Sequence, residues 1–105
     1  MNVYAALISA HQRVLAATGV NCLLARLSLL DSIELRKHPG FHAVRPYPHS
    51  MGYVAGIKVL VDDFTASGWV NFYDTRLGGW RLVRLTEEPE TFQTFWSKIR
   101  DENWV

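Results

Sequence analysis

The stretch YVAGIKVLVDDFTASGWVNFYDTRLGGWRLVRL, residues 53–85, decides the fold class of this chain. It consists of three apolar runs separated by two short polar breaks that contain glycine. Runs of this length bounded by Gly, Asp and Ser are typical of β-strands joined by turns. The stretch therefore predicts a three-stranded antiparallel meander, with strands at Val54–Val61, Trp69–Tyr73 and Trp80–Leu85.

The N-terminal residues predict a first helix. Apolar side chains recur at helical spacing over Val3–Ala17, and polar side chains occupy the other side. Asn2 is suited to cap the helix at its start, and Gly19 is suited to the left-handed position that follows a helix.

Residues Asn21–Lys37, which include CLLARLSLLDSIELRK, carry two conflicting patterns. Their richness in strong helix formers and the proline that follows at position 39 favour a helix. The alternation of apolar Ala25 and Leu27 with polar Arg26 is instead typical of a strand. We expect a helix here, either continuous or broken near Leu30, and the alternative is that the segment includes a strand.

The last residues predict a C-terminal helix. TEEPE, residues 86–90, supplies a cap, acidic residues and a proline suited to the first turn. An apolar stripe with i, i+3, i+4, i+7 spacing follows, formed by Phe92, Phe95, Trp96 and Ile99. The expected fold is thus one α+β domain over residues 1–105: two N-terminal helical segments, a three-stranded antiparallel meander sheet and a C-terminal helix packed on the sheet.

This order of helix, three strands and helix, from about residue 22 to residue 103, is similar to that of a double-stranded RNA-binding domain. That family opens its last helix with a lysine-rich KKxAK-like motif. The corresponding residues here are TEEPETF, which are acidic where phosphate contacts would be needed. We therefore do not assign the chain to that family.

Charge and cysteine content narrow the class of protein. Residues 1–85 carry nine Lys and Arg against five Asp and Glu, and residues 86–105 carry two against five. A dedicated nucleic-acid binder has a denser positive field than this.

Cys22 is the only cysteine, which excludes an intrachain disulfide and fits a reducing compartment. The first residues show neither a signal-peptide nor a membrane-span pattern, so we expect a cytoplasmic protein that does not bind a membrane.

The loop HPGFHAVRPYPHSMG, residues 38–52, holds three of the four prolines and three of the four histidines. His38, His42 and His49 are weak candidates for metal ligands or a general base, and Arg45 and Tyr47 are candidate binding residues beside them. The loop contains no acidic residue to orient an imidazole. Surface histidines in a stiff loop are the favoured interpretation, and we expect neither a metal nor a cofactor.

The aspartates at strand ends and the single cysteine are better explained by structural roles than by catalysis. Asp62, Asp63 and Asp74 lie at strand ends, where some hydrolases place carboxylates, but Asp is also a preferred turn residue. Cys22 has apolar sequence neighbours, which raise the pKa of a thiol and make it inert. We assign no catalytic residue.

The second and third predicted strands place large aromatic side chains on one face. Trp69, Tyr73 and Trp80 share it with Asn71 and Arg84 if the strands are regular. This composition is typical of a base-stacking platform, of a protein-binding hot spot, or of a core covered by helices. The candidate binding residues on the hairpin are Trp69, Tyr73, Trp80, Arg81 and Arg84.

These patterns favour a small accessory protein over an enzyme. We expect it to bind a protein partner or to form a homo-oligomer such as a homodimer, as an inhibitor-like or antitoxin-like module would. The first alternative is a nucleic-acid-binding module that uses the aromatic and Arg hairpin face. The second is a small enzyme, or a metal or ligand binder, centred on the loop from His38 to His49.

Overall fold

The computed structural model describes residues 2–44 and 50–86. These residues form two helices, α1 (Val3–Thr18) and α2 (Leu29–Arg36). They also form six strands: β1 (Leu24–Leu27), β2 (Phe41–Ala43), β3 (Ser50–Val54), β4 (Ile57–Val61), β5 (Trp69–Asp74) and β6 (Gly79–Arg84). The fold is α+β.

The strands form one mixed sheet in the order β2-β3-β4-β1-β5-β6. The central strand β1 is parallel to β4 and antiparallel to β5. The remaining neighbours are antiparallel. The crossover from β1 to the parallel strand β4 contains α2 and the hairpin of β2 and β3, which satisfies the need of parallel strands for a long connection.

The predicted three-stranded meander is wrong in two respects. Its first strand is two strands, β3 and β4, which reverse direction at Ala55 (φ 48°) and Gly56 (φ 82°). Two successive residues with positive φ form the type I′ turn that matches the twist of a hairpin. In addition, β4 and β5 are not neighbours, because β1 lies between them. The hairpin of β5 and β6 is confirmed.

The prediction for α1 is confirmed at both ends. The side-chain oxygen of Asn2 accepts a hydrogen bond from the backbone N–H of Ala5 at 3.1 Å. Gly19 adopts φ 73° and donates its N–H to the carbonyl of Leu15 at 2.8 Å. The cap and the left-handed glycine therefore fix the length of the helix.

The continuous helix expected over residues 21–37 is wrong, because its first part is β1. The alternation of apolar and polar residues correctly predicts a strand there, since Ala25 and Leu27 are fully buried. Ser28 is the N-cap of α2, and its hydroxyl accepts a hydrogen bond from the N–H of Asp31 at 3.2 Å. Pairing on both sides of β1 outweighs the helix propensity of its residues.

The C-terminal helix predicted after Thr86 lies outside the described residues. Within residues 2–44 and 50–86 the helical layer consists of α1 and α2, which contact each other and share one apolar core with the sheet. A C-terminal helix packed on the sheet is therefore not the architecture that the described residues form.

The core lies between the two helices and one face of the sheet, which we call the helix face. Every strand except β2 and β6 contributes two or more fully or nearly fully buried residues. The apolar side chains of the helix face include Ala25, Leu27, Val54, Ile57, Val59, Val70, Phe72 and Val83. They pack with Val3, Leu7, Ala10, Val14 and Leu35 of the helices. The opposite sheet surface, which we call the outer face, carries most of the predicted hairpin binding residues: Trp69, Tyr73, Trp80 and Arg84.

Candidate functional site

The outer face is defined by the strand residues that alternate with the buried ones. Their positions follow from the register of the sheet, since successive residues of a strand point to opposite faces. These residues are His42, Tyr53, Lys58, Leu60, Leu24, Arg26, Trp69, Asn71, Tyr73, Trp80, Leu82 and Arg84. They are half-buried or exposed, whereas the helix face is almost fully buried.

Aromatic rings and guanidinium groups alternate over β1, β5 and β6. Tyr73 is the cross-strand partner of Trp80, and their rings meet edge to face with centroids 5.3 Å apart. The Arg26 guanidinium carbon lies 3.8 Å from the Trp80 ring centroid. At the other end of the hairpin, the Arg84 guanidinium carbon lies 4.9 Å from the ring centroid of its partner Trp69. Such cation–π contacts hold long side chains in place.

The outer face carries cationic strand residues and no carboxylate among its described residues. Arg26, Lys58 and Arg84 supply the cations. The carboxylates of the described chain are elsewhere. Asp31 and Glu34 belong to α2, Asp62 and Asp63 to the loop after β4, and Asp74 is buried on the helix face. The cations of the outer face therefore share that face with none of the described carboxylates.

The structure brings together four of the seven predicted binding residues, Trp69, Tyr73, Trp80 and Arg84. Arg81 points to the helix face, so it is apart from them. Arg45 and Tyr47 lie outside the described residues.

Among the aromatic and charged members of the outer face, sequence reasoning missed Arg26, Tyr53 and Lys58. The helix propensity of the residues around Arg26 hides its place on a strand. The signal that could have found it is the alternation in LARL, where Arg26 is the polar member. Tyr53 and Lys58 are cross-strand partners in the hairpin of β3 and β4, which was predicted as a single strand.

Arg81 forms a buried ion pair with Asp74. Its guanidinium donates to Asp74 Oδ2 at 3.0 Å, and the side chain of Asp74 is completely buried. Asp74 Oδ1 accepts from the backbone N–H groups of Arg76 and Leu77, which closes the β5–β6 turn. Burial raises the pKa of Asp74, but the hydrogen bonds from Leu77, Arg81 and Arg76 outweigh burial and place the pKa below its ordinary value. The arrangement stabilises a turn.

Cys22 lies near this ion pair and is fully buried. Burial and the Asp74 carboxylate raise the pKa of the Cys22 thiol, and Arg81 compensates only in part. A buried thiol with a raised pKa is a poor nucleophile.

The described histidines occupy different environments. The His38 ring stacks on Tyr4 of α1 at a centroid distance of 3.8 Å, and His38 Nδ1 accepts a hydrogen bond from the N–H of Gly40 at 2.9 Å. His42 is exposed on the outer face opposite Tyr53. His49 lies outside the described residues. No group of three or more His, Cys, Asp or Glu within residues 2–44 and 50–86 is arranged to hold a metal ion.

The loop between β4 and β5 presents a second apolar feature. Phe64 is 98% exposed, although hydrogen bonds fix the loop that carries it. Asp62 accepts hydrogen bonds from the N–H of Phe64 and the hydroxyl of Thr65. Asp31 of α2 accepts from Ser67 Oγ at 3.2 Å and from the Gly68 N–H at 2.8 Å. The predicted turn role of Asp62 is thus confirmed.

Comparisons of this chain with protein-family models, with curated proteins and with solved structures give no significant match. Neither described helix is long and apolar enough to cross a membrane.

Proposed function

We propose that the protein is a binding protein whose outer face receives a protein partner. The observation that carries this proposal is the asymmetry of the sheet. Both described helices cover the helix face, whereas the outer face presents three large aromatic residues of one hairpin, Trp69, Tyr73 and Trp80. A sheet surface with such large apolar side chains is stabilised when a partner removes them from water.

The composition of the outer face favours a protein over other partners. Trp, Tyr and Arg are the residue types that dominate binding energy at protein–protein interfaces. Leu24, Leu60 and Leu82 are interspersed with them on neighbouring strands. Leucine side chains pack well against the apolar side chains of a protein but provide no ring on which a nucleic-acid base could stack.

Site-directed photocross-linking tests this proposal. A benzophenone amino acid replaces Tyr53, which is 39% exposed on the outer face. The matched control carries the same group at Leu77, which is 67% exposed in the β5–β6 turn. After irradiation in the host cell, we expect a discrete protein adduct from position 53 that position 77 does not give. Mass spectrometry identifies the adduct.

A second variant distinguishes a partner that binds the outer face from a protein that is only close to the cross-linking group. Trp80→Ala in the position-53 protein removes the ring that contacts both Tyr73 and Arg26, so we expect the adduct to decrease several-fold. An adduct that is equally strong from positions 53 and 77, or that Trp80→Ala leaves unchanged, would contradict a partner on the outer face.

Single-stranded nucleic acid is a second candidate, because the described outer face pairs its aromatic rings with cations and holds no carboxylate. Fluorescence anisotropy with 12-nucleotide oligo(dT) and oligo(U) tests it. Binding through phosphate contacts weakens steeply between about 50 and 200 mM salt. The absence of binding at the lower salt concentration would rule this candidate out.

A further inference from the structure

We infer that the segment of the partner that occupies the outer face is acidic as well as apolar. This inference rests on the proposed function and adds the chemistry of the partner. Charge complementarity carries it: the described strand residues of the outer face include Arg26 and Lys58 and no Asp or Glu.

Arg26 and Lys58 differ from Lys37 and Arg81, which pair with carboxylates of the described chain. Arg81 pairs with Asp74, Lys37 pairs with Glu34, and the Arg76 guanidinium donates to the carbonyl of Thr18. Within residues 2–44 and 50–86, no carboxylate forms an ion pair with Arg26 or Lys58. A partner that covers these two groups removes water from them, which is costly unless the partner supplies an opposite charge.

Arg26 is held in a position that suits this role. Its guanidinium carbon lies 3.8 Å from the Trp80 ring centroid, so the ring restricts the long side chain before a partner arrives. A guanidinium that sits over an aromatic ring keeps N–H donors at its edge, where a carboxylate can accept two hydrogen bonds in parallel.

The sheet also sets the spacing of the acidic groups. Arg26 lies on β1 and Lys58 on the neighbouring parallel strand β4, two residues apart in register. Strand geometry then places their Cα atoms roughly 8 Å apart. Residues i and i+2 of an extended segment are separated by a similar distance, so two acidic residues with one residue between them can reach both cations. Apolar neighbours of these acids would contact Leu24, Leu60 and the Trp80 ring.

Selection from an unbiased library of 12-residue peptides displayed on phage tests the inference. The immobilised protein is the full chain, and a parallel selection uses the Trp80→Ala variant to remove peptides that bind elsewhere. We expect the peptides specific to the wild-type protein to be enriched in Asp and Glu together with aromatic or leucine residues. The best peptide is then synthesised, and its affinity is measured by fluorescence anisotropy.

Charge reversal on the outer face gives the quantitative readout. We expect Lys58→Glu to weaken the acidic peptide about tenfold, and Arg26→Gln to weaken it by a similar factor. Arg36→Glu is the matched control, because Arg36 is an exposed cation in the last turn of α2 and is not a residue of the outer face. It changes the net charge as Lys58→Glu does, and we expect it to have little effect. Thermal unfolding verifies that each variant is folded.

The remaining outcomes overturn the inference in distinguishable ways. Peptides that lack acidic residues but still depend on Trp80 would leave the outer face as a protein-binding surface and refute its acidic partner. A selection that yields no peptide dependent on Trp80 would contradict the proposed function itself. A purified protein that sediments as a dimer, and as a monomer after Trp80→Ala, would identify a second copy of the chain as the occupant.

Discussion

At the scale of single residues, Asp74 and Ala55 have opposite effects on the stability of the turns that they occupy. Asp74 joins the β5–β6 turn to Arg81 through one buried carboxylate. Ala55 adopts φ 48°, a left-handed conformation that costs an L-residue roughly 1–2 kcal/mol. Asp74 thus stabilises the β5–β6 turn, whereas Ala55 introduces backbone strain into the β3–β4 turn.

Replacing Asp74 by Asn should lower the free energy of unfolding by about 3 kcal/mol at pH 7, because Arg81 loses its buried charge partner. The pKa of Asp74 is lower in the folded protein than in the unfolded chain, so its ionisation stabilises the fold above the unfolded-state pKa, near 4. This contribution is lost as the pH falls through the folded-state pKa.

Urea unfolding from pH 7 to pH 2.5 measures both effects. The wild-type protein should lose more stability below about pH 4 than Asp74→Asn does. Parallel pH profiles for the two proteins would show that the Asp74 carboxylate is not the group that stabilises the turn.

Replacing Ala55 by Asn should raise the free energy of unfolding by about 0.5–1 kcal/mol, because Asn tolerates the left-handed conformation and Asn-Gly is the preferred type I′ pair. Differential scanning calorimetry should show a melting temperature higher by several degrees. Ala66→Asn, at an exposed alanine without a positive φ, is the control and should change little. A decrease in stability for Ala55→Asn would exclude a type I′ turn.

At the scale of elements, the sequence predicts the parts whose signals are local. The cap at Asn2 and the glycine after α1 are sufficient for that helix, and the polar, glycine-containing loop between β5 and β6 is sufficient for that hairpin. The outer-face cluster of Trp69, Tyr73 and Trp80 follows from the alternation of the same hairpin.

The missed elements depend on distant partners or lack polar signals. β1 has four residues, and its pairing with β4 and β5 is invisible to any local pattern. The turn at Ala55–Gly56 lies inside an apolar run without Asn, Asp or Pro, so β3 and β4 resemble one strand. The alternation in LARL predicts that Arg26 alternates with buried residues, but its position beside Trp80 depends on the pairing of β1 with β5.

The connection between α2 and the β4–β5 loop gives a prediction at this scale. Asp31→Ala removes the acceptors for Ser67 Oγ and the Gly68 N–H and should cost about 1–3 kcal/mol. Hydrogen exchange of the Gly68 amide should accelerate more than that of the α1 amides. Asp63→Ala changes an exposed acid of the same loop and should cost less than about 0.5 kcal/mol. Equal effects of the two variants would contradict the role of Asp31.

At the scale of the whole molecule, the two faces of the sheet differ in how deeply their side chains are buried. The helix face holds the fully buried side chains, such as Phe72, whose ring also meets His11 of α1 edge to face at 5.8 Å. The outer face holds aromatic residues with partial exposure, such as Tyr53. Substitutions of similar size on the two faces should therefore have different consequences.

Phe72→Ala should lower the free energy of unfolding by about 3–5 kcal/mol, because it leaves a cavity under α1. Tyr53→Ala should cost less than about 1 kcal/mol, since Tyr53 is 39% exposed and its loss leaves no closed cavity. Urea unfolding curves for the two variants provide the comparison. A cost for Tyr53→Ala as large as that for Phe72→Ala would mean that the outer face is part of a closed core.

The central position of β1 has a consequence for the synthesis of the chain on the ribosome. Ala25 pairs with Val59 on one side and with Phe72 on the other, and both partners are translated much later. At about 5–20 residues per second, β1 waits on the order of seconds for its neighbours. During this interval the apolar side chains of Ala25 and Leu27 have no sheet to enter. The segment that later becomes the middle of the sheet is therefore exposed to aggregation while the chain is being synthesised.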